Sequence, residues 1–157
     1  MIKRAFTLIE LLIVIAIVGI LATLLTTNLQ GARSRARDSR RKQEFYHLQQ
    51  SLRLYYNDHA GFPTTAALMA LWGSPLVSLD GNTTYASFLP YDPLSTTTNL
   101  LTYRYYSDGT TYILGTSLEN ASDPDISVSQ LRCPSTYPSY SATYSPDNAQ
   151  EYVVCEE

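Results

Sequence analysis

From Phe6 to Leu29 the chain runs 24 residues with a single charge, Glu10, and no proline. At 1.5 Å per residue this is roughly 36 Å of helix, enough to cross a hydrocarbon core with some tilt. Only helices and closed barrels satisfy their backbone groups in lipid, and the run shows no two-residue alternation, so a helix is expected. A buried helix of a water-soluble core is the alternative, and the length of the run speaks against it.

The run follows a short basic leader, Met1-Ile2-Lys3-Arg4-Ala5. A secretory signal has a 7–15-residue apolar region with the small-residue cleavage site after it. Here the apolar region is longer and the small residue, Ala5, precedes it. A carboxylate in such a run is expensive and calls for a partner. A cut before Phe6 would free an amine four residues from Glu10, and the first turn of a helix favours negative charge.

The order Lys3, Arg4, Ala5, then Phe6-Thr7-Leu8-Ile9-Glu10 and a long apolar helix containing Gly19 resembles the type IV pilin and type II secretion pseudopilin family. The resemblance implies cleavage between Ala5 and Phe6 by a membrane-embedded prepilin peptidase and N-methylation of Phe6. It also implies that Glu10 of one subunit recruits the Phe6 amine of the next, setting the stagger of a fibre. Leu54-Tyr-Tyr-Asn-Asp-His-Ala-Gly-Phe-Pro-Thr-Thr65 is similar to the end of the long helix in G-type major pseudopilins, extending the likeness over residues 3–65. Leu89-Pro-Tyr-Asp-Pro93 resembles the step before their sheet, although Leu94-Ser95 replaces the usual Trp-Gly. Thr27 stands where many relatives have proline. G-type pseudopilins hold calcium in a loop after the hairpin with closely spaced aspartates. Asp123 and Asp125 match those in kind, and an ordinary acidic turn is the simpler reading, because Ca²⁺ wants six to eight oxygens. Calcium is the one cofactor the chain suggests.

The 157 residues, 152 after the inferred cut, allow one domain on a stalk. The net charge of −3 hides an asymmetry: residues 1–42 hold 8 of the 11 Lys and Arg, and residues 43–157 hold 12 of the 14 acids. A phosphate footprint needs clustered cations, so no nucleic acid is expected on the distal part. Cys133 and Cys155 form an even pair behind an export segment, which reads as one disulfide in an oxidising compartment, with two free thiols as the alternative.

Beyond Leu29 the helical pattern continues. Arg33 to Lys42 holds six cations and one acid, reading either as a solvated face, with Asp38 and Lys42 as an i,i+4 pair, or as a surface for headgroups and acidic neighbours. Six cations after the apolar run against two before it would place the C-terminal part in the cytoplasm; long domains translocate largely regardless of charge, and export is favoured here. Phe45, Leu48, Leu52 and Tyr55 recur at steps of 3, 4 and 3, giving the face on which a domain packs. The helix should stop near Asn57-Asp58, before Gly61 and Pro63. A short helix, Ala66 to Trp72, capped by Thr65, should bring Leu68, Leu71 and Trp72 into the core. Residues 76–89 read as a loop with a turn at Asp80-Gly81-Asn82. Leu100 to Ser107 and Thr110 to Leu118 flank Asp108-Gly109 as a hairpin with a two-residue turn. Its tyrosines are expected to be half-buried in the sheet, with a glycan-stacking strip as the alternative. Ser127 to Glu157 should end in a strand, Glu151 to Cys155.

The expected fold is α+β and pilin-like, one long N-terminal helix on a small antiparallel sheet. Its parts are a leader (1–5), a transmembrane or fibre-core helix (6–29), a continuing amphipathic helix (30–58) and a head with a C-terminal disulfide loop (59–157). No Ser/His/Asp set, HExxH, CxxC or phosphate loop can be nominated, so a structural subunit rather than an enzyme is expected. Its partners by resemblance are copies of itself, the prepilin peptidase, an inner-membrane platform and motor, and the membrane before assembly. The expected location is the cytoplasmic membrane, N-terminus inside, with the head exported and then carried into a fibre. A tethered extracellular binding domain with no assembly role is the alternative function.

Overall fold

The computed structural model describes residues 7–99, 101, 103–133 and 150–156, without the side chains of 24–28. The elements in order are α1 (Leu8–His59), α2 (Thr65–Met69), β1 (Leu76–Val77), β2 (Thr84–Ala86), β3 (Arg104–Ser107), β4 (Tyr112–Ser117), α3 (Pro124–Arg132) and β5 (Glu151–Cys155). The chain forms two compact units, Met1–Ala36 and Arg37–Glu157, whose boundary falls within α1.

In the first unit every large apolar side chain from Leu8 to Leu21 is more than half exposed. Among the described residues no helix is long and apolar enough to cross a membrane; part of the apolar run lies at 24–28, outside the described side chains. The helix is continuous through Thr27.

The second unit is α+β, as expected. Along α1 the residues at steps of 3, 4, 3 and 4 from Asp38 are all buried: Asp38 (2 % exposed), Arg41 (2 %), Phe45 (0 %), Leu48 (3 %) and Leu52 (0 %). One stripe at helical period thus carries two charges followed by three apolar residues. The apolar part meets the inner face of a three-stranded antiparallel sheet ordered β3-β4-β5. Tyr105 faces Leu114 and Val154 across the strands, and Arg104, Gly115 and Val153 align on the opposite face. Phe45 meets the Tyr103 ring edge-on at 5.0 Å and the Tyr152 ring at 5.9 Å. Tyr103, Tyr105 and Tyr112 are fully buried rather than half-buried, which leaves no stacking strip on that face.

The expected stop of α1 lies within two residues of the observed end, His59. Ala60 adopts a left-handed conformation, φ 53°, and returns its N–H to Tyr56 O. Phe62 N–H then bonds Gly109 O at 2.8 Å, seating the chain on the hairpin loop. α2 is capped by Thr64, whose hydroxyl accepts from Ala67 N, one residue before the expected Thr65. Leu68 and Trp72 are core residues and Leu71 packs against them. Gly73 has φ +80°, and a Cβ there would collide with the Tyr91 ring and hydroxyl, so glycine is required.

Three sequence expectations need correction. Residues 76–89 are not all loop, since β1 and β2 pair around a turn in which Asp80 accepts from Asn82 N–H. The β3–β4 loop has four residues, not two, because Ser107 pairs with Tyr112; Asp108 Oδ1 accepts from Thr110 N and Thr111 N and organises it. α3 was not expected at all. It begins at Asp123-Pro124, a capping side chain followed by proline at N1, the signal that identifies a helix start.

Both margins of the larger sheet are engaged by neighbouring elements. Ser129 Oγ of α3 accepts from Val153 N–H, and Gln130 Nε2 donates to Glu151 O, along β5. Thr65 Oγ1 accepts from Ser107 N–H and donates to Ser107 O along β3.

Candidate functional site

At the start of α1, Thr7 and Glu10 form a reciprocal capping box. Glu10 Oε2 accepts from Thr7 N–H and from the Thr7 hydroxyl, both at 2.9 Å, while Thr7 Oγ1 accepts from Glu10 N–H at 3.3 Å. The carboxylate is thereby pinned at the positive end of the helix, beside an exposed apolar surface. Ala5 and Phe6 lie outside the described residues.

In the second unit Arg37, Arg41 and Lys42 of the basic run form a clamp, while Arg40, like Arg33 and Arg35 before it, stays on a solvated face. Arg41 is forked against Asp92, Nε to Oδ2 at 2.7 Å and Nη2 to Oδ1 at 2.9 Å. Its Nη1 also donates to Asp38 Oδ1 at 2.6 Å and Glu119 Oε1 at 2.9 Å. Arg37 holds the same Glu119 in a second fork, at 2.6 and 2.7 Å. Asp38 accepts from the backbone N–H groups of Glu119 and Asn120, each at 2.9 Å. Two cations and three carboxylates thus tie α1 to the loops before β3 and after β4. Burial works against the Arg41 charge, but its hydrogen bonds to Asp92, Glu119 and Asp38 outweigh it and raise its pKa. The Arg37 hydrogen bond, with help from Arg41 and against burial, lowers Glu119 to about 2.

The anticipated Asp38–Lys42 pair does not form. Lys42 Nζ instead donates to Asp123 Oδ1 and Oδ2, each at 2.7 Å, and to Asp125 Oδ2 at 2.6 Å. Asp123 also caps α3, its Oδ1 accepting from Asp125 N–H at 3.0 Å. The structure does bring the two aspartates considered for calcium together, but around an ammonium. Among the described residues no group of three or more His, Cys, Asp or Glu side chains is placed to hold a metal ion.

Elsewhere Glu151 is fully buried and paired with Arg104. Burial raises its pKa, only partly opposed by Arg104. Cys133, just after α3, is bonded to Cys155 at the end of β5, with Cα atoms 5.7 Å apart. The His59 ring lies tilted against the Tyr55 ring at 4.2 Å, and Tyr85 donates to Asp58 at 2.8 Å, a surface cluster that finishes α1.

Sequence reasoning missed Asp92 and Glu119 as partners of Arg41. They lie 51 and 78 residues away along the chain. The only local sign was a cationic run continuing the step of the apolar stripe.

Residues 1–26 match the family model described as prokaryotic N-terminal methylation motif. Over 131 residues the chain is 30 % identical to type II secretion system core protein G of Aeromonas hydrophila, covering 79 % of this chain and 90 % of that protein. It is 35 % identical over 107 residues to the protein of the same name from Pectobacterium carotovorum subsp. carotovorum, 63 % of this chain and 67 % of that one. Over 96 residues it is 32 % identical to the Escherichia coli K12 protein of that name, 58 % and 66 % of the two chains. No solved structure matches the chain.

Proposed function

Because the chain belongs to the family of type II secretion system core protein G, we propose that it is a structural subunit of a secretion pseudopilus. Residues 1–5 act as a leader, prepilin peptidase cuts between Ala5 and Phe6, and the freed Phe6 amine is methylated. The subunit waits in the cytoplasmic membrane as a single span over 6–29, with its head exported. A platform and motor then deliver it into a helical fibre. Support for the leader chemistry comes from the methylation motif matched over residues 1–26. Support for export comes from the Cys133–Cys155 disulfide, which persists in oxidising compartments.

The observation that carries the reading is the surface of residues 8–21. Leaving a large aliphatic side chain in water forgoes about 1.5–3 kcal/mol, and here the whole set is exposed. Lipid covers such a surface before assembly, and the same segments of other copies cover it afterwards. Transfer between these two dry environments gains nothing from water exclusion, so helix packing and polar contacts must favour the fibre. Glu10, held by Thr7 at the helix start, is the group that faces a neighbour's Phe6 amine.

The test is a filament assay in secreting cells with wild type and Glu10→Ala. Filaments disappear in the variant while the membrane-inserted, processed protein stays at wild-type abundance. Filaments that persist in Glu10→Ala, or a mature terminus other than Phe6 by mass spectrometry, would falsify the scheme. Absence of filaments in wild type as well would favour a tethered binding domain.

A further inference from the structure

The family resemblance implies calcium in the loop that follows the hairpin, and the residues present do not fit it. Ca²⁺ takes six to eight oxygens at 2.3–2.6 Å. Asp123 and Asp125 present three oxygens to one point, and the Lys42 nitrogen already stands there, 2.6–2.7 Å from all three. An ammonium has three protons and no acceptor, so these contacts saturate it. The ring of Tyr152 lies 5.9 Å from the same nitrogen and offers it a favourable face. A divalent ion could enter only by expelling a like charge whose side chain is four-fifths buried. Lys42 is also set in place by the helix, since it neighbours the buried stripe at Asp38, Arg41 and Phe45.

We infer that Lys42 is the resident cation of the head. Its ammonium fastens the first turn of α3 to α1 through Asp123 and Asp125, in the role the resemblance assigns to calcium, so the head folds and stays folded without metal. The pairing spans 81 and 83 residues of sequence. It secures the helix that flanks β5 and ends at the disulfide. A chain built this way keeps its head intact at any calcium concentration outside the membrane. The inference rests on the head alone, so its failure leaves the fibre reading untouched.

The experiment is thermal unfolding of the full chain in detergent micelles, followed by circular dichroism, in calcium chloride and in EGTA. Wild type melts at the same temperature in both. Lys42→Ala melts roughly 2–8 °C lower in EGTA, and Lys42→Arg recovers part of the loss because the charge remains. A wild-type melting point that rises with calcium and falls with EGTA overturns the inference, as does Lys42→Ala melting like wild type. If Lys42→Ala does not fold, Asp125→Asn serves, because Asp125 is half-exposed and does not cap α3. It should melt lower than wild type and equally in both media, and an unchanged melting point overturns the inference.

Discussion

The two ends of α1 invert the usual arrangement of side chains. From Leu8 to Leu21 the aliphatic residues stand in the open, while the charged side chains of Asp38, Arg41 and Lys42 are wholly or largely buried. The difference is one of partners. The first stretch meets no apolar surface among the described residues of its own unit. The second stretch meets carboxylates and backbone N–H groups of its own chain, which make burial of charge tolerable. One continuous helix therefore carries two opposite placements of its side chains, and the change from one to the other is written as a reversal of polarity.

The sharpest way to break the comparison is to remove the buried cation. Arg41→Ala leaves Asp38, Asp92 and Glu119 facing one another with only Arg37 between them. Orphaning a buried charge partner costs about 3–5 kcal/mol, so urea unfolding of the head should show a loss of that order. A loss no larger than that of Arg40→Ala, a mostly exposed arginine paired with Glu44 one turn away, would mean that the clamp is ornamental. Next comes the aliphatic pair. Leu52→Ala should cost about 2–5 kcal/mol, whereas Ile13→Ala, equally aliphatic and on the same helix, should leave the head's unfolding midpoint unchanged. Equal losses would erase the distinction between the two stretches. Reduction of the Cys133–Cys155 bond, which closes a 22-residue separation, should lower stability by about 2–4 kcal/mol in the loop-closure model, read as a shift in midpoint with dithiothreitol.

The smallest expected effect is the response to acid. Glu119 is held near 2 by Arg37, so its contribution is present above the ordinary glutamate value of 4.5 and is lost as pH falls toward 2. Asp80, held by Ser78 and Asn82, and Asp108, held by the N–H and hydroxyl groups of Thr111 and Thr110, are also near 2 and act in the same direction. Glu151 acts oppositely: its raised value means that protonation on acidification relieves a burial penalty. Melting temperature should therefore fall gradually below about pH 4.5, less steeply in Glu119→Gln. The opposing gain from Glu151 on acidification lies above 4.5, where only the folded chain binds that proton, and should disappear in Glu151→Gln. The same slope in both variants would refute these assignments.

What was legible in the sequence was what repeats locally. Phe45, Leu48, Leu52 and Tyr55 announced their face by spacing, the tyrosine-rich strands announced a hairpin around Asp108-Gly109, and Glu151–Cys155 read as a strand tied by Cys133. The ion clamp was not legible, because Asp92 and Glu119 carry no local mark that they answer Arg41 across the fold. β1 and β2, with two and three residues, are too short for any period to register. α3 was readable from Asp123-Pro124, but treating Asp123 and Asp125 as ligands obscured their place at a helix start.

The two occupied margins of the β3-β4-β5 sheet bear on how such a subunit tolerates crowding. Unpaired strand edges are templates on which another chain can grow. Here a threonine hydroxyl occupies one border, and a serine hydroxyl and a glutamine amide the other. Heads brought together at high local density thus meet as finished surfaces at these positions.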